Sequence, residues 1–229
     1  MINHIIFQNM QASNHFVEEK NSPPLVLKLS SSFLSYIFHP LFIPLYAGYF
    51  LMFIHPTYFV GYGSKEKYWL LIRVAYTMVF FPIITVLLLK AIGFIESVFL
   101  KTQKDRIIPY IACGIYFFWG YLVFRNQPSI PSILTAFTFA VFLSSSLALI
   151  ANIYFKISMH AIGMGGVLGL FLVIMRSNTM LMTGPLSLAF LITGMVCSAR
   201  LLITNHIDKE IYTGLLVGIA CQLVAAVII

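Results

Sequence analysis

A histidine and a carboxylate lie four residues apart near the C-terminus of the chain. Glu210 follows His206 with three residues between them, and Arg200 precedes His206 with five residues between. A helix that begins near His206 would place the imidazole and the carboxylate on one face. Glu210 could then fix the tautomer of His206 and raise its basicity, which would leave the other ring nitrogen to act as a nucleophile.

Two earlier polar clusters carry complementary chemistry. Ser158 and His160 precede an apolar run, and Lys101, Lys104 and Arg106 lie in a polar segment between two others. A second histidine could protonate a leaving alkoxide, and backbone N–H groups at a helix start could bind phosphate oxygens. The cations could neutralise a phosphoryl group, although loop cations also commonly face anionic lipid head groups. Together the clusters indicate phosphoryl transfer without a metal or cofactor.

The composition indicates where this chemistry would take place. Of 229 residues, 60% are hydrophobic and only 9% are charged, and the mean hydropathy is +0.93. A soluble domain needs far more polar surface, whereas bilayer hydrocarbon can solvate such a chain. The net charge of +7 is therefore interpreted through membrane lipids or an anionic substrate, and we expect no nucleic-acid partner.

The hydropathy pattern predicts an all-α, polytopic membrane bundle of about six or seven spanning helices. Residues 1–30 form a polar or interfacial N-terminal segment, and residues 31–229 form one transmembrane domain. Two small-residue motifs, Gly165/Gly169 and Gly214/Gly218, predict helices in close contact. The candidate spans are Phe33–Ile54, Trp69–Ile95, Ile107–Phe124, Pro131–Tyr154, Met159–Met175, Met180–Ile203 and Ile211–Ile229.

Counting helices places all three polar clusters at one membrane face. The segments after the second, fourth and sixth spans lie on the same side of the bilayer, and each holds one cluster. The pair His39-Pro40 in the first span has two interpretations: it kinks that helix, or it lines the entrance of a substrate site.

At this point the chain resembles the type 2 phosphatidic acid phosphatase superfamily, over roughly residues 100–220. That family carries K-x6-R-P, then P-S-G-H, then S-R-x5-H-x3-D. Arg200, His206 and Glu210 keep the third spacing, with Glu for Asp, and Ser158 and His160 keep part of the second.

The first motif is the least complete. Lys101 and Pro109 keep its spacing, but Ile108 stands where the family has Arg, and Arg106 lies two residues earlier. Met159 stands where the second motif has Gly.

The resemblance implies a fold with a phosphatase core and a division of roles. His206 would be the catalytic nucleophile that forms a phosphohistidine, Glu210 would orient it, and His160 would be the acid. Arg200, Lys101, Arg106 and Ser158 would bind the phosphate of a lipid phosphate monoester or polyprenyl diphosphate. It also implies a multi-pass protein of a bacterial inner membrane, with the site facing the periplasm.

Three other functions remain open at the level of sequence. Some members of the family transfer a lipid head group or phosphoryl group to another alcohol. A divergent member could bind lipid or a partner without catalysis. A transporter would carry intramembrane charges near the midplane and often internal repeats, whereas this chain gathers its ionisable residues at one face.

The residue pattern predicts metal-independent activity, because no cluster has the ligand spacing of a zinc site. Phosphate release from lipid phosphates should therefore survive EDTA in a colorimetric phosphate assay. Complete loss of release, restored by Mg²⁺ or Mn²⁺, would contradict the mechanism.

Overall fold

A computed structural model describes residues 24–98, 100, 102–177, 179–203 and 207–229. These residues form eight helices and no strand, and the six helices from α3 onward are long and apolar enough to cross a membrane. The predicted all-α polytopic bundle is thus confirmed. The predicted site residues Lys101 and His206 lie outside the described residues. The helices are α1 (Leu25–Ile37), α2 (Ile43–Ile54), α3 (Ser64–Ala91), α4 (Gln103–Arg125), α5 (Ser132–Tyr154), α6 (Met159–Ser177), α7 (Thr183–Ile203) and α8 (Asp208–Ile228).

The first predicted span is wrong in one respect, because it is not a continuous helix. The prediction ran from Phe33 to Ile54, but α1 ends at Ile37 and α2 begins at Ile43. Pro40 has no N–H to donate to the preceding turn, and it disfavours helical backbone at the residue before it, His39. The break therefore places His39 in the turn between two short helices, where it is half-buried.

Helices α6 and α8 run parallel and make the most extensive contact in the bundle. A Cβ added to Gly214 would lie 2.8 Å from the carbonyl oxygen of Ser158, and one added to Gly169 would lie 2.8 Å from the Cβ of Gln222. At Gly165 an added Cβ would overlap the carbonyl oxygen of Leu215. Both small-residue motifs therefore bring two backbones together, as the sequence predicts.

This parallel packing places the starts of α6 and α8 side by side. The backbone N–H of Ser158 donates to the carbonyl oxygen of Glu210 at 3.2 Å. Because α7 connects the end of α6 to α8 through short segments, it runs antiparallel to both and ends at the same face. The segments that hold His160 and Arg200 thus share one end of the bundle.

The start of α4 is held at that end as well. The Gln103 side-chain amide donates to the carbonyl oxygen of Asn152 at 3.0 Å. In return, the Asn152 amide donates to the carbonyl oxygen of Gln103 at 2.9 Å. This reciprocal pair joins the first turn of α4 to the last turn of α5, so the polar segment before α4 lies next to the segment that precedes α6.

The glycine contact predicts a specific sensitivity of the fold. Gly165→Ala should lower the half-unfolding temperature in detergent, because an overlap of the methyl group with the Leu215 carbonyl costs about 1–3 kcal/mol. The matched control is Gly194→Ala in α7, where an added Cβ meets no atom within 4 Å. That variant should keep or raise the temperature, since Ala favours a helix over Gly by about 1 kcal/mol. Equal behaviour of the two variants would refute the close contact.

Candidate functional site

A cavity of about 860 Å³ lies between the helices and is lined by all three polar clusters. Its ionisable cationic and histidine residues come from the start of α4, the segment before α6, the start of α6, the end of α7 and the turn after α1. They are Arg106, Lys156, His160, Arg200 and His39. The structure therefore brings together residues that lie as far apart in the sequence as His39 and Arg200.

Arg106 is fixed by the backbone of the neighbouring segments. Its Nε donates to the carbonyl oxygen of Leu100 at 2.9 Å, and one terminal nitrogen donates to the carbonyl oxygen of Ile157 at 3.3 Å. A guanidinium has five N–H groups, so these two contacts leave others to reach a ligand. The side chain is half-buried, and its position is set before any ligand arrives.

The cations lie close enough to disfavour one another. The pKa of Lys156 is lowered by burial first and then by the charge of Arg106, with a smaller contribution from Arg200, while the charge of Glu210 acts in the opposite direction. Like charges held together in a partly buried site repel one another. An anion bound among them would relieve this repulsion, so the cluster is suited to a phosphate group.

His160 and His39 face each other in the same cavity. Their ring centroids are 5.6 Å apart, with the rings at 82°. The Nε2 atom of His160 lies 3.1 Å from the carbonyl oxygen of Ser35. A carbonyl oxygen only accepts hydrogen bonds, so Nε2 carries the proton, and Nδ1 is the nitrogen whose protonation can change.

His39 is a site residue for which the sequence left two interpretations open. It lies outside the six spanning helices, and its Nδ1 accepts a hydrogen bond from the backbone N–H of Leu41 at 3.4 Å. Its pKa is lowered by burial first and then by the charge of Arg200. Both observations favour a neutral imidazole whose Nε2–H is a donor. The sequence feature that could have identified His39 as a site residue is a histidine directly before a proline in an otherwise apolar run.

Ser158 and Glu210 lie behind the cavity wall instead of among its lining residues. Ser158 is fully buried, and its hydroxyl accepts a hydrogen bond from the backbone N–H of Ala161 at 3.5 Å. The hydroxyl of Ser158 thus caps α6, and its phosphate-binding role stays a prediction. Glu210 is half-buried in the first turn of α8, and its effect on Lys156 places its charge near the cations.

The rest of the cavity is largely apolar. It extends along α3, α4, α5 and α6 and has Leu87, Phe117, Phe137 and Ile162 in its walls. A site with cations and histidines at one end and hydrocarbon-like walls beyond them fits an amphiphile with a phosphorylated head group.

Three of the predicted site residues, Arg106, His160 and Arg200, thus line one cavity. The placement of the other predicted residues at this end, Lys101 and His206, falls outside the described part of the chain.

No protein-family model, curated protein or solved structure matches the chain.

The charge cluster predicts that Arg200→Gln weakens binding of a lipid phosphate about 10- to 100-fold, because a charge-assisted hydrogen bond contributes about 1.5–3 kcal/mol. Affinity can be measured by displacement of a radiolabelled lipid phosphate from purified protein. The matched control is Arg176→Gln, since Arg176 is an exposed cation in the last turn of α6, at the other end of the bundle. A comparable loss in both variants would indicate general attraction to anionic lipid.

Proposed function

We propose that this protein is a membrane-embedded phosphatase that hydrolyses a lipid phosphate monoester or a polyprenyl diphosphate. The observation that supports the proposal best is the cavity, which Arg106, Lys156 and Arg200 line together with the histidine pair while the remaining wall is largely apolar. The cations are complementary in charge to the phosphorylated head group, and the apolar wall is complementary to the hydrocarbon chain of the lipid. The motif resemblance supplies the reaction.

The proposed reaction has two steps. A neutral ring nitrogen of His206 attacks phosphorus, the bond from phosphorus to the leaving oxygen breaks, and His160 gives that oxygen a proton. Water then gives a proton to His160 as it attacks the phosphohistidine, the bond between phosphorus and His206 breaks, and inorganic phosphate is released with both histidines restored. Glu210 would orient His206, as the four-residue spacing implies, and Arg106 and Arg200 would stabilise the charge on the phosphoryl oxygens.

The geometry of His160 suits the role of acid. Since Nε2–H is held by the Ser35 carbonyl, the exchangeable proton is on Nδ1. Donation from Nδ1 leaves the Ser35 contact intact, so the ring keeps its orientation through the cycle. His39, a neutral donor beside it, would bind a phosphate or leaving-group oxygen.

Two observations favour a second candidate, a lipid-binding protein without catalysis. The hydroxyl of Ser158 serves as a helix cap, and Ile108 stands where the related motif has arginine. Both departures remove phosphate ligands from the proposed site. A lipid head-group phosphotransferase would use the same first step, with a second lipid alcohol in place of water.

We further propose that the protein is a multi-pass inner-membrane protein and that its cavity faces the periplasm. The proposal follows the motif resemblance. Cysteine labelling from either side of intact and permeabilised cells, with Lys156→Cys as the reporter at the cavity end and Arg176→Cys at the other, would test it. Protection of Lys156→Cys in intact spheroplasts would reverse the orientation.

The central prediction concerns the nucleophile. His206→Ala should abolish phosphate release and the acid-labile label that remains on the protein after incubation with ³²P-labelled lipid phosphate. The matched control is His55→Gln, because His55 lies between α2 and α3 and bonds Thr57 and Thr179, away from the cavity residues. Activity of His206→Ala at the wild-type rate would exclude the mechanism.

A companion prediction separates the acid from the nucleophile. His160→Ala should slow hydrolysis of an alkyl phosphate by about 10²–10⁴-fold, the usual contribution of a general acid. It should slow hydrolysis of a nitrophenyl phosphate much less, since a phenolate leaves without protonation. An equal loss on both substrates would assign His160 to binding, and binding of labelled lipid without turnover in the wild type would favour the non-catalytic candidate.

A further inference from the structure

Four uncharged polar side chains line the cavity with a buried polar atom that has no hydrogen-bond partner within the described residues, and two of them, Ser145 and Gln222, lie well inside the bundle. Gln222 is fully buried, and neither its Nε2 nor its Oε1 is bonded. Ser145 is 4% exposed, and its hydroxyl is also unbonded. Both residues lie in the cavity wall.

Such groups are rare, because nearly all buried side-chain amides in proteins are hydrogen-bonded. The penalty is greater inside a membrane, where no surrounding water can satisfy them. An apolar residue would fill the same positions in α5 and α8 without that penalty. Unbonded donors and an unbonded acceptor beside a cavity therefore indicate that something which enters the cavity bonds to them.

The distance between Gln222 and the charged end of the cavity can be estimated along α6. Its Cβ lies 2.8 Å from the position of an added Cβ on Gly169, so the two residues are level. Gly169 follows His160 by nine residues, or about 13 Å along a helix. Because side chains lean toward the N-terminus of their helix, the Gln222 amide lies nearer to the charged end than its backbone does.

This depth suits one part of a lipid phosphate. About five bonds of roughly 1.5 Å each separate phosphorus from the carbonyl that links a fatty chain, so that carbonyl lies on the order of 6–7 Å below the phosphate. Arg200 lies in the last turn of α7, so by the same rule its side chain leans into the bundle and can hold the phosphate below the level of its own backbone. A carbonyl oxygen at the level of Gln222 could accept from its amide and from the Ser145 hydroxyl.

We propose that Gln222 and Ser145 form a second, uncharged binding subsite that holds the linkage carbonyl of an acyl lipid phosphate, an ester or an amide. This inference rests on the proposed function for the identity of the head group. It makes these two residues determinants of specificity: an acyl lipid phosphate satisfies them, and the hydrocarbon chain of a polyprenyl diphosphate does not. An amide linkage can form one more hydrogen bond with Gln222 than an ester can, because the amide N–H can donate to Oε1.

The test compares lipids that differ only in the linkage. Full-length protein in detergent micelles is challenged with radiolabelled dipalmitoyl phosphatidic acid and with its dihexadecyl ether analogue as competitor. Wild-type protein should bind the ester about 3- to 10-fold more tightly than the ether, as expected for one or two neutral hydrogen bonds. The amide-linked analogue should bind at least as tightly as the ester.

The decisive variants are Gln222→Leu and Ser145→Ala. Each should reduce the preference for the ester, and the double variant should bring it within twofold, while affinity for the ether stays at the wild-type value. Thr193→Val is the matched control, because Thr193 is a buried hydroxyl in α7 that bonds the Ala189 carbonyl at 2.7 Å and does not line the cavity. It should keep the full preference. Gln222→Met replaces Gln222→Leu if the latter fails to fold.

The outcomes separate the subsite from the proposed reaction. Equal wild-type affinity for ester and ether would overturn the subsite and would show that trapped water alone satisfies these side chains. A preference that survives in the double variant would overturn it as well. Selective binding of the ester without phosphate release from any lipid would support the subsite and refute the phosphatase.

Discussion

The backbone contact between α6 and α8 is the constraint on which the site depends. Lipid provides no hydrophobic driving force for helix association, so the two helices stay in register through close van der Waals contact. The glycines Gly165, Gly169, Gly214 and Gly218 allow this contact, and a side chain at most of these positions would meet backbone atoms of the other helix. The register in turn joins Ser158 to Glu210 and brings the segment that holds His160 beside the start of α8.

A second constraint on the site is the repulsion among its positively charged side chains. The same end of the bundle holds three cations and two imidazoles in one cavity, and the pKa of Lys156 is lowered by burial first and then by the charge of Arg106. The fold tolerates this arrangement because the cluster lies at the end of the spanning helices and because Arg106 is hydrogen-bonded to backbone carbonyls of Leu100 and Ile157. Rigid placement of Arg106 means that less conformational freedom is lost when an anion binds.

The sequence predicted those parts of the structure that depend on periodic or local signals. Long apolar runs indicated the spanning helices, the small-residue motifs indicated the α6–α8 contact, and helix parity put Arg106, His160 and Arg200 at one face. Pro40 indicated a kink as one of two interpretations, but hydropathy alone could not show that the helix is interrupted there from Phe38 to Phe42.

The remaining differences depend on tertiary contacts. Ser158 caps α6, and the family motif alone could not distinguish a capping hydroxyl from a phosphate ligand. Gln222 was overlooked because its neighbours are apolar, although an isolated amide in a spanning helix is itself a signal of function. The importance of His39 also emerged only when α1 and α6 were seen to bring the two rings together.

The division of the cavity into a charged end and an apolar wall determines which measure of ligand concentration sets the occupancy of the cavity. An amphiphile held in this way keeps its chain in a hydrocarbon environment throughout, and transfer of each CH₂ group through water would cost about 0.8 kcal/mol. For a lipid phosphate bound as proposed, arrival and departure would therefore take place by lateral diffusion within the membrane. The quantity that sets occupancy is the mole fraction of ligand among the surrounding lipids, and dilution of the membrane with inert lipid lowers occupancy even when the bulk concentration is constant.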